Sequence, residues 1–427
     1  MSHLFWGGVD CVELARTFGT PLYVLDESII RSRCAEIRID FLGKWPGTTA
    51  CYASKAFLTR AMARIIDQEG LGLDVVSGGE LYTALSANFP ASRIELHGSA
   101  KSAEELKMAL GSGVGRIVVD GPMELALLAD LASGLGYSAD ILLRVAPGVR
   151  PDTHAHIVTG QAGSKFGFPL EGPMLSEAVS SAMNSASLAL KGLHFHIGSQ
   201  IHEPESHVEA VLRLVECLDV LRRDTGFMPE ELNFGGGFGV RMSPGDSHLP
   251  LRAFTDAMME ALTRECGRRD WQRPHVSIEP GRWVVSDAGL TLYSVETVKP
   301  LENVTYVGVD GGMADNLRPA LYQAKYEAAL AARPEARGTG GTRLSIAGKC
   351  CETGDILIEA ADLPVPEQGE ILAVYGTGAY TFSMASNYNR LPRPAVVLVK
   401  DGCAELIVER QTFEDLLRGD LIPQCLS

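Results

Sequence analysis

From Thr49 to about Trp283 the chain repeats one pattern: a short β-rich run, then apolar residues at helical spacing, then another β-rich run. The strand candidates are Thr49–Ala53, Gly72–Val76, Ile94–His97, Arg116–Val119, Asp140–Val145, Ala189–Ile197, Glu231–Phe234 and Val276–Glu279. Helical stretches such as Leu58–Glu69, Ser102–Leu110, Pro122–Leu131, Leu170–Met183 and Glu205–Arg222 lie between them. Strands joined through helices run parallel. About eight such repeats in roughly 250 residues predict an α/β fold, a parallel (β/α)8 TIM-like barrel with its active site at the carboxyl ends of the strands.

After Gly281-Arg282 the texture changes to short strands separated by turns, at Leu290–Val298, Asn303–Val309, Thr342–Ile346, Asp355–Glu359, Glu370–Val374, Ala395–Lys400 and Ala404–Glu409. These predict an all-β sandwich or barrel, completed by the N-terminal strand Pro21–Leu25. The expected division is therefore residues 28–283 for the barrel, and residues 1–27 with 284–427 for the β domain. Ser28–Ile39 reads as a helix opened by an N-cap serine, and Pro334–Gly341 as an exposed mobile loop.

With 427 residues, 46% of them hydrophobic, the chain can fill two cores. Its formal net charge of -15 argues against nucleic acid or an anionic membrane surface as the main partner. No apolar run approaches the roughly 18 residues of a membrane span, and Met1–Trp6 lacks a basic segment followed by an apolar one, so a cytoplasmic protein is expected. Nine cysteines are scattered without paired ligand spacing, which implies neither a disulfide framework nor a zinc site.

Lys55 closes the mostly uncharged run Thr49–Ala56 just before a helix. A lysine there can meet a carbonyl compound as a free amine if low dielectric lowers its pKa, whereas a solvated strand-end lysine is the commoner case. Gly235-Gly236-Gly237-Phe238-Gly239 follows a strand and should precede a helix; such a run suits an anion such as phosphate, or simply a tight turn. Glu279-Pro280-Gly281-Arg282 offers a carboxylate for a heterocyclic N–H and a guanidinium for an anion, or a plain salt bridge. His194 and His196 alternate on one strand and so face the same side, as packed histidines or as catalytic groups. Cys350-Cys351-Glu352 sets a thiol beside a carboxylate, and Arg318 lies one helical turn from Tyr322. Each of these has an ordinary structural explanation of its own.

Together and in order, YASKA, GLDVVSGGE, GLHFHIGSQ, NFGGGFG, EPGR, RPALY, CCETGD and GAYTFSMASNYN resemble the fold-type III pyridoxal-phosphate-dependent decarboxylases, from about Pro21 to Val399. The resemblance implies the alanine-racemase-like pairing of barrel and β domain, with pyridoxal 5'-phosphate as cofactor. It implies that Lys55 carries that cofactor covalently, that His196 stacks on its ring, and that Glu279 faces the ring nitrogen. It places Ser199, Gly235, Gly236, Gly237, Gly281 and Tyr380 around the phosphate, with Arg282 also among the cofactor-binding residues. Arg282, Arg318, Tyr322, Glu352 and Tyr380 correspond to substrate-contacting positions, and Cys351 to the thiol that protonates the product carbon. A homodimer with a site shared across the interface is implied, so that Cys351 and Glu352 act in trans to Lys55. Thr159-Gly160 and Ser164–Gly167 resemble the family's active-site lid.

The implied reaction is decarboxylation of meso-2,6-diaminopimelate to L-lysine, the last step of lysine biosynthesis. Two arginines and a glutamate match a distal amino-acid centre better than the bare ammonium of lysine or ornithine. Lysine, ornithine or a carrier-bound amino acid is the alternative substrate. A carboxylate at position 279, where a racemase of this fold type would be expected to carry arginine, favours decarboxylation. Lys349-Cys350 and Trp283 depart from the usual pattern, and Trp283 is expected to narrow the entrance.

Overall fold

Strands covered on both faces are mostly buried, and those between residues 48 and 278 are, with a few polar residues set among the apolar ones. The computed structural model describes residues 3–149, 164–241, 249–338 and 343–426, which form two compact units, one of residues 31–241 and 249–284, the other of residues 3–30 with 285–426. In the first, eight parallel strands run in chain order: β1 (Thr48–Ala53), β2 (Gly72–Val75), β3 (Ile94–Leu96), β4 (Arg116–Val119), β5 (Ala139–Ala146), β6 (Leu188–Phe195), β7 (Glu231–Asn233) and β8 (His275–Ile278). Pairing of Val276 with Thr48 through Ile278 with Ala50 closes the sheet into the expected barrel.

The helices start and stop where local chemistry tells them to. Thr59, Ser77 and Ser102 each cap a helix through a side-chain oxygen, Ser102 in a reciprocal box with Glu105, and Gly113, Gly136 and Gly226 end helices with left-handed backbone. The helix expected to open at Ser28 instead spans Glu27–Ile37, because the Asp26 carboxylate accepts the Ser28 N–H at 2.7 Å and is the better-placed cap. The glycine run does not lead straight into a helix. Ile201 donates to the Gly237 carbonyl and Gly239 to the Ile201 carbonyl, holding the segment as a loop, and the next described helix is Leu251–Arg268.

The other unit is built on one 12-residue strand, Gly289–Pro300. Its first half pairs with Ile371–Tyr375 and its second half with Val304–Val309, so a single strand serves both halves of a nine-stranded sheet. The N-terminal strand Leu22–Asp26 does join this unit, antiparallel to Gly289–Leu292 and parallel to Ala395–Val399. One core gathers Tyr293, Val295, Val307, Ile346 and Leu372; a second packs Leu14 of helix Cys11–Phe18 against Leu22, Leu290 and Val397. The sheet is mixed, and it contains a strand, Ala328–Leu330, that the sequence pattern did not mark. Of the expected mobile loop at 334–341, residues 339–341 lie outside the described residues; Gly338 N–H is bound by the Asp362 carboxylate.

At Gly192 the register of β6 against β5 slips, and a Cβ there would sit 1.6 Å from the Glu231 carbonyl of β7. Gly192→Ala is therefore expected to destabilise the barrel by about 3 kcal/mol through overpacking. A urea-denaturation midpoint equal to that of the wild type would show that the strands yield at no cost.

Candidate active site

The carboxyl ends of the strands deliver most of the chemistry-bearing residues of the barrel. Lys55 sits on a short turn, Ser54–Ala56, directly after β1, and is partly exposed. His196 follows β6, the glycine run follows β7, and Glu279 follows β8. Close backbone approach explains the glycines. A Cβ at Gly235 would meet the Phe195 carbonyl at 2.4 Å, one at Gly236 the Glu279 carbonyl at 2.1 Å, and one at Gly281 the Ala53 side chain at 2.9 Å. Gly235 N–H donates to Asn233 Oδ1 (2.9 Å) and Gly236 N–H to His196 Nδ1 (3.2 Å). The close-turn reading of the run holds here: the strand ends converge only because these positions lack side chains. Arg282, 5% exposed, donates from Nε and Nη2 to Ser199 Oγ at 3.3 and 3.2 Å.

Glu279 is 4% exposed, so its charge needs partners. Asn233 Nδ2 donates to Oε1 at 2.7 Å, His97 Nε2 lies 3.0 Å from the same oxygen, and His194 Nε2 donates to Oε2 at 3.3 Å. Burial acts to raise its pKa, but the two histidines outweigh it and hold the carboxyl well below the usual range. His196 is driven the other way. Burial, with the Lys55 and Arg144 cations nearby, keeps its imidazole neutral well below the ordinary value. A lysine amine, an ionised buried carboxylate, a neutral aromatic ring and a glycine loop at one barrel mouth form a set that fits a phosphorylated pyridine aldehyde.

In the other unit, Arg318 is 5% exposed, and its guanidinium carbon lies 5.2 Å from the Tyr322 ring centre and 5.6 Å from that of Tyr380. Tyr380 itself has a left-handed backbone (φ 59°). The adjacent cysteines differ sharply. Cys350 is buried, its thiol pushed up to about 12 by burial and by Asp355, whereas Cys351 and Glu352 are exposed. Asp355 accepts the backbone N–H groups of Met313 and Cys350 (2.6 and 2.8 Å), Asn389 Oδ1 accepts that of Cys351 (2.7 Å), and Tyr388 donates to Glu352 at 3.5 Å. The turn that presents Cys351 is thus pinned on both sides.

Trp283 does not narrow an entrance. It is 1% exposed, its indole N–H donates to Glu36 (3.1 Å), and the Arg33 guanidinium stacks 5.1 Å from its ring, so it packs within the barrel unit. Of the lid-like run, residues 159–163 lie outside the described residues; Phe166 lies under the Arg144 guanidinium at 4.3 Å, and Gly167 N–H donates to Asp120. Residues around Glu279 to which motif reading gave no role are His97, Asp74, Glu95 and Asn233. The available signal was polar residues interrupting buried apolar strands, as in Gly72-Leu73-Asp74 and Ile94-Glu95-Leu96-His97.

Residues 29–286 match the family described as pyridoxal-dependent decarboxylase, pyridoxal binding domain. A diaminopimelate decarboxylase of Bacillus subtilis (strain 168) is 49% identical over 421 residues, covering 98% of this chain and 95% of that protein. The crystal structure of a diaminopimelate decarboxylase from M. jannaschii in complex with L-lysine superposes with a TM-score of 0.92 at 33% identity, over 100% of this chain and 97% of that one. A lysine/ornithine decarboxylase from Vibrio vulnificus, bound to cadaverine, shares the fold with a TM-score of 0.77 at 23% identity, over 91% of this chain and 96% of that one.

The glycine loop is held from behind by His207, which is fully buried against Phe238 (ring centres 5.3 Å apart) and Phe254 (5.8 Å) and donates from Nε2 to the Gly236 carbonyl at 3.1 Å. Burial pushes its pKa down to about 4, so the unfolded chain binds a proton near pH 6.5 that the folded chain refuses until about pH 4. The depressed pKa means that stability is full above pH 6.5 and lost as pH falls through that window, by about 3 kcal/mol from this residue. His207→Gln, which keeps a donor for Gly236 but cannot titrate, is expected to lose less stability between pH 6.5 and 4 in urea unfolding; an unchanged slope would assign the proton uptake elsewhere.

Proposed function

The chain belongs to the diaminopimelate decarboxylases within the pyridoxal-dependent decarboxylase family, and we propose that it converts meso-2,6-diaminopimelate to L-lysine and carbon dioxide, the last step of lysine biosynthesis, with pyridoxal 5'-phosphate as cofactor. The observation that carries this reading is the barrel mouth, where Lys55 and a buried, ionised Glu279 stand at the ends of neighbouring strands. When bound, pyridoxal phosphate supplies the electron sink that makes loss of a carboxylate from an amino acid feasible.

The chain's own residues do the rest. Lys55 Nζ would hold the cofactor at its aldehyde carbon. Glu279 holds a proton on the ring nitrogen, since an ionised carboxylate favours the protonated heterocycle. The neutral imidazole of His196 stacks on the ring, where a cation would oppose the pyridinium charge. Ser199, Gly235, Gly236, Gly237, Gly281, Arg282 and Tyr380 surround the phosphate. Arg282, Arg318, Tyr322, Glu352 and Tyr380 bind the substrate, the two arginines matching carboxylate and Glu352 the distal ammonium. Cys351 delivers a proton to the α-carbon that has lost its carboxylate; its exposure, against the buried thiol of Cys350, supports that choice. The enzyme works as a cytoplasmic homodimer in which Cys351 and Glu352 of one subunit serve the Lys55 of the other.

Carbon dioxide release from meso-diaminopimelate, with pyridoxal phosphate present, is expected to exceed release from lysine and ornithine by orders of magnitude; a preference for ornithine overturns the substrate assignment. Cys351→Ala is expected to keep cofactor binding while slowing turnover by about 100- to 10,000-fold, the usual worth of a positioned acid. Cys350→Ala should stay near wild type, and the reverse order would transfer the proton to Cys350.

A further inference from the structure

Beneath the barrel mouth lies a group of buried charges that the roles above use only in part. His97, at the end of β3, is 3% exposed, and its Nε2 lies 3.0 Å from Glu279 Oε1, 3.5 Å from Glu95 Oε2 and 3.8 Å from Asp74 Oδ1. The three carboxylates come from β2, β3 and the end of β8, and their residues are 1%, 6% and 4% exposed. Three like charges buried this close together repel strongly, because burial weakens solvent screening. One positive charge in their midst is the least costly remedy.

The donors are shared unequally. Glu279 receives Asn233 Nδ2 and His194 Nε2 besides the contact with His97. Glu95 shares the same Asn233 amide group (2.8 Å) and takes a weak bond from the Cys51 thiol (3.4 Å). Neither carboxylate oxygen of Asp74 has a hydrogen-bond donor among the described residues. Lys55 and Arg144 bear on the cluster from β1 and β5, and His194 meets the His97 ring edge-on at 4.8 Å.

We propose that His97 is a positioning residue: as an imidazolium among Asp74, Glu95 and Glu279, it selects Glu279 as the ionised carboxylate of the cluster and thereby keeps a proton on the heterocyclic nitrogen opposite. The inference rests on the reading that Glu279 faces that nitrogen. The titration behaviour agrees with the geometry. Burial opposes a charge on His97, but Asp74, Glu279 and Glu95 raise it to about 10, while burial pushes Asp74 and Glu95 up and Glu279 stays low. His194, buried without that surround, falls to about 4 and serves as a neutral donor.

The test reads protons rather than turnover. In protein loaded with pyridoxal phosphate and labelled with 15N-histidine, one imidazolium signal is expected to persist above about pH 8, against an ordinary histidine pKa near 6.5. With ring-15N pyridoxal phosphate, His97→Asn is expected to move the protonation midpoint of the ring nitrogen down by about one to three pH units, and Glu279→Gln at least as far. If Glu279→Gln leaves the midpoint unchanged, the underlying assignment of Glu279 fails. If Glu279→Gln moves it and His97→Asn does not, the role of His97 alone fails. Should His97→Asn not fold, the wild-type titration still decides, since histidine rings all neutral at about pH 8 overturn the proposal. Stoichiometric zinc bound by His97, His194 and Glu279, whose ligand atoms lie within 4.8 Å of one another, would overturn it as well.

Discussion

A carboxylate sealed inside a barrel is costly to keep charged, and the architecture of this chain is arranged around meeting that cost at Glu279. Moving such a group out of water costs several kcal/mol unless donors replace the lost hydration. The partners here come from strands distant in sequence: Asn233 on β7 and His194 on β6 donate hydrogen bonds, and His97 after β3 adds a close ionic contact. The backbone of the same residue is engaged too, its N–H donating to the Gly235 carbonyl at 2.7 Å while its own carbonyl abuts Gly236. Displacing the carboxylate would therefore also disturb the convergence of β7 and β8, which sets the position of the glycine loop.

That dependence explains which parts of the site could be read in one dimension. Lys55, His196, Gly235, Glu279 and Arg282 stand out because each lies at a strand end, where polar residues break an apolar run. The barrel follows from the same alternation, since strands buried on both faces leave few other arrangements. Asn233, Glu95, Asp74 and His97 sit in comparable surroundings, but their chemistry depends on partners across the barrel: Asn233 reaches Glu95, 138 positions away, and Glu279, 46 away. No local rule pairs such residues. Shear and closure of the sheet decide which side chains share a layer. Trp283 shows the same limit from the other side, because a large residue beside a site motif looks like a gatekeeper until its burial against Glu36 and Arg33 is seen.

The β unit was legible as a set of strands but not as a sheet. Length and turn spacing marked most of them, and the N-terminal strand pairs with Gly289–Leu292. Its parallel pairing with Ala395–Val399, however, depends on long-range register that alternation does not encode. The doubled cysteine is a smaller case of the same kind. Which of the two thiols is buried depends on Asp355, whose carboxylate gathers the Met313 and Cys350 amides while Cys351 stays exposed.

Three histidines at this end of the barrel reach different charge states from the same side-chain chemistry. All three lose hydration, which by itself favours the neutral ring. His97 faces three carboxylates and is driven to the cation. His194 faces one, shares it with His97, and stays neutral as a donor to it. His196 lies nearer Lys55 and Arg144 and is held neutral more firmly still, accepting from the Gly236 amide on Nδ1. Their separation is set by strand register. His194 and His196 lie two residues apart at the end of one strand, so exchanging their charge states would require moving the carboxylates of β2, β3 and β8. An electrostatic pattern anchored in backbone pairing cannot relax by rotating side chains. For that reason a neutral imidazole at His196 and an ionised carboxylate at Glu279 can coexist here in one desolvated region.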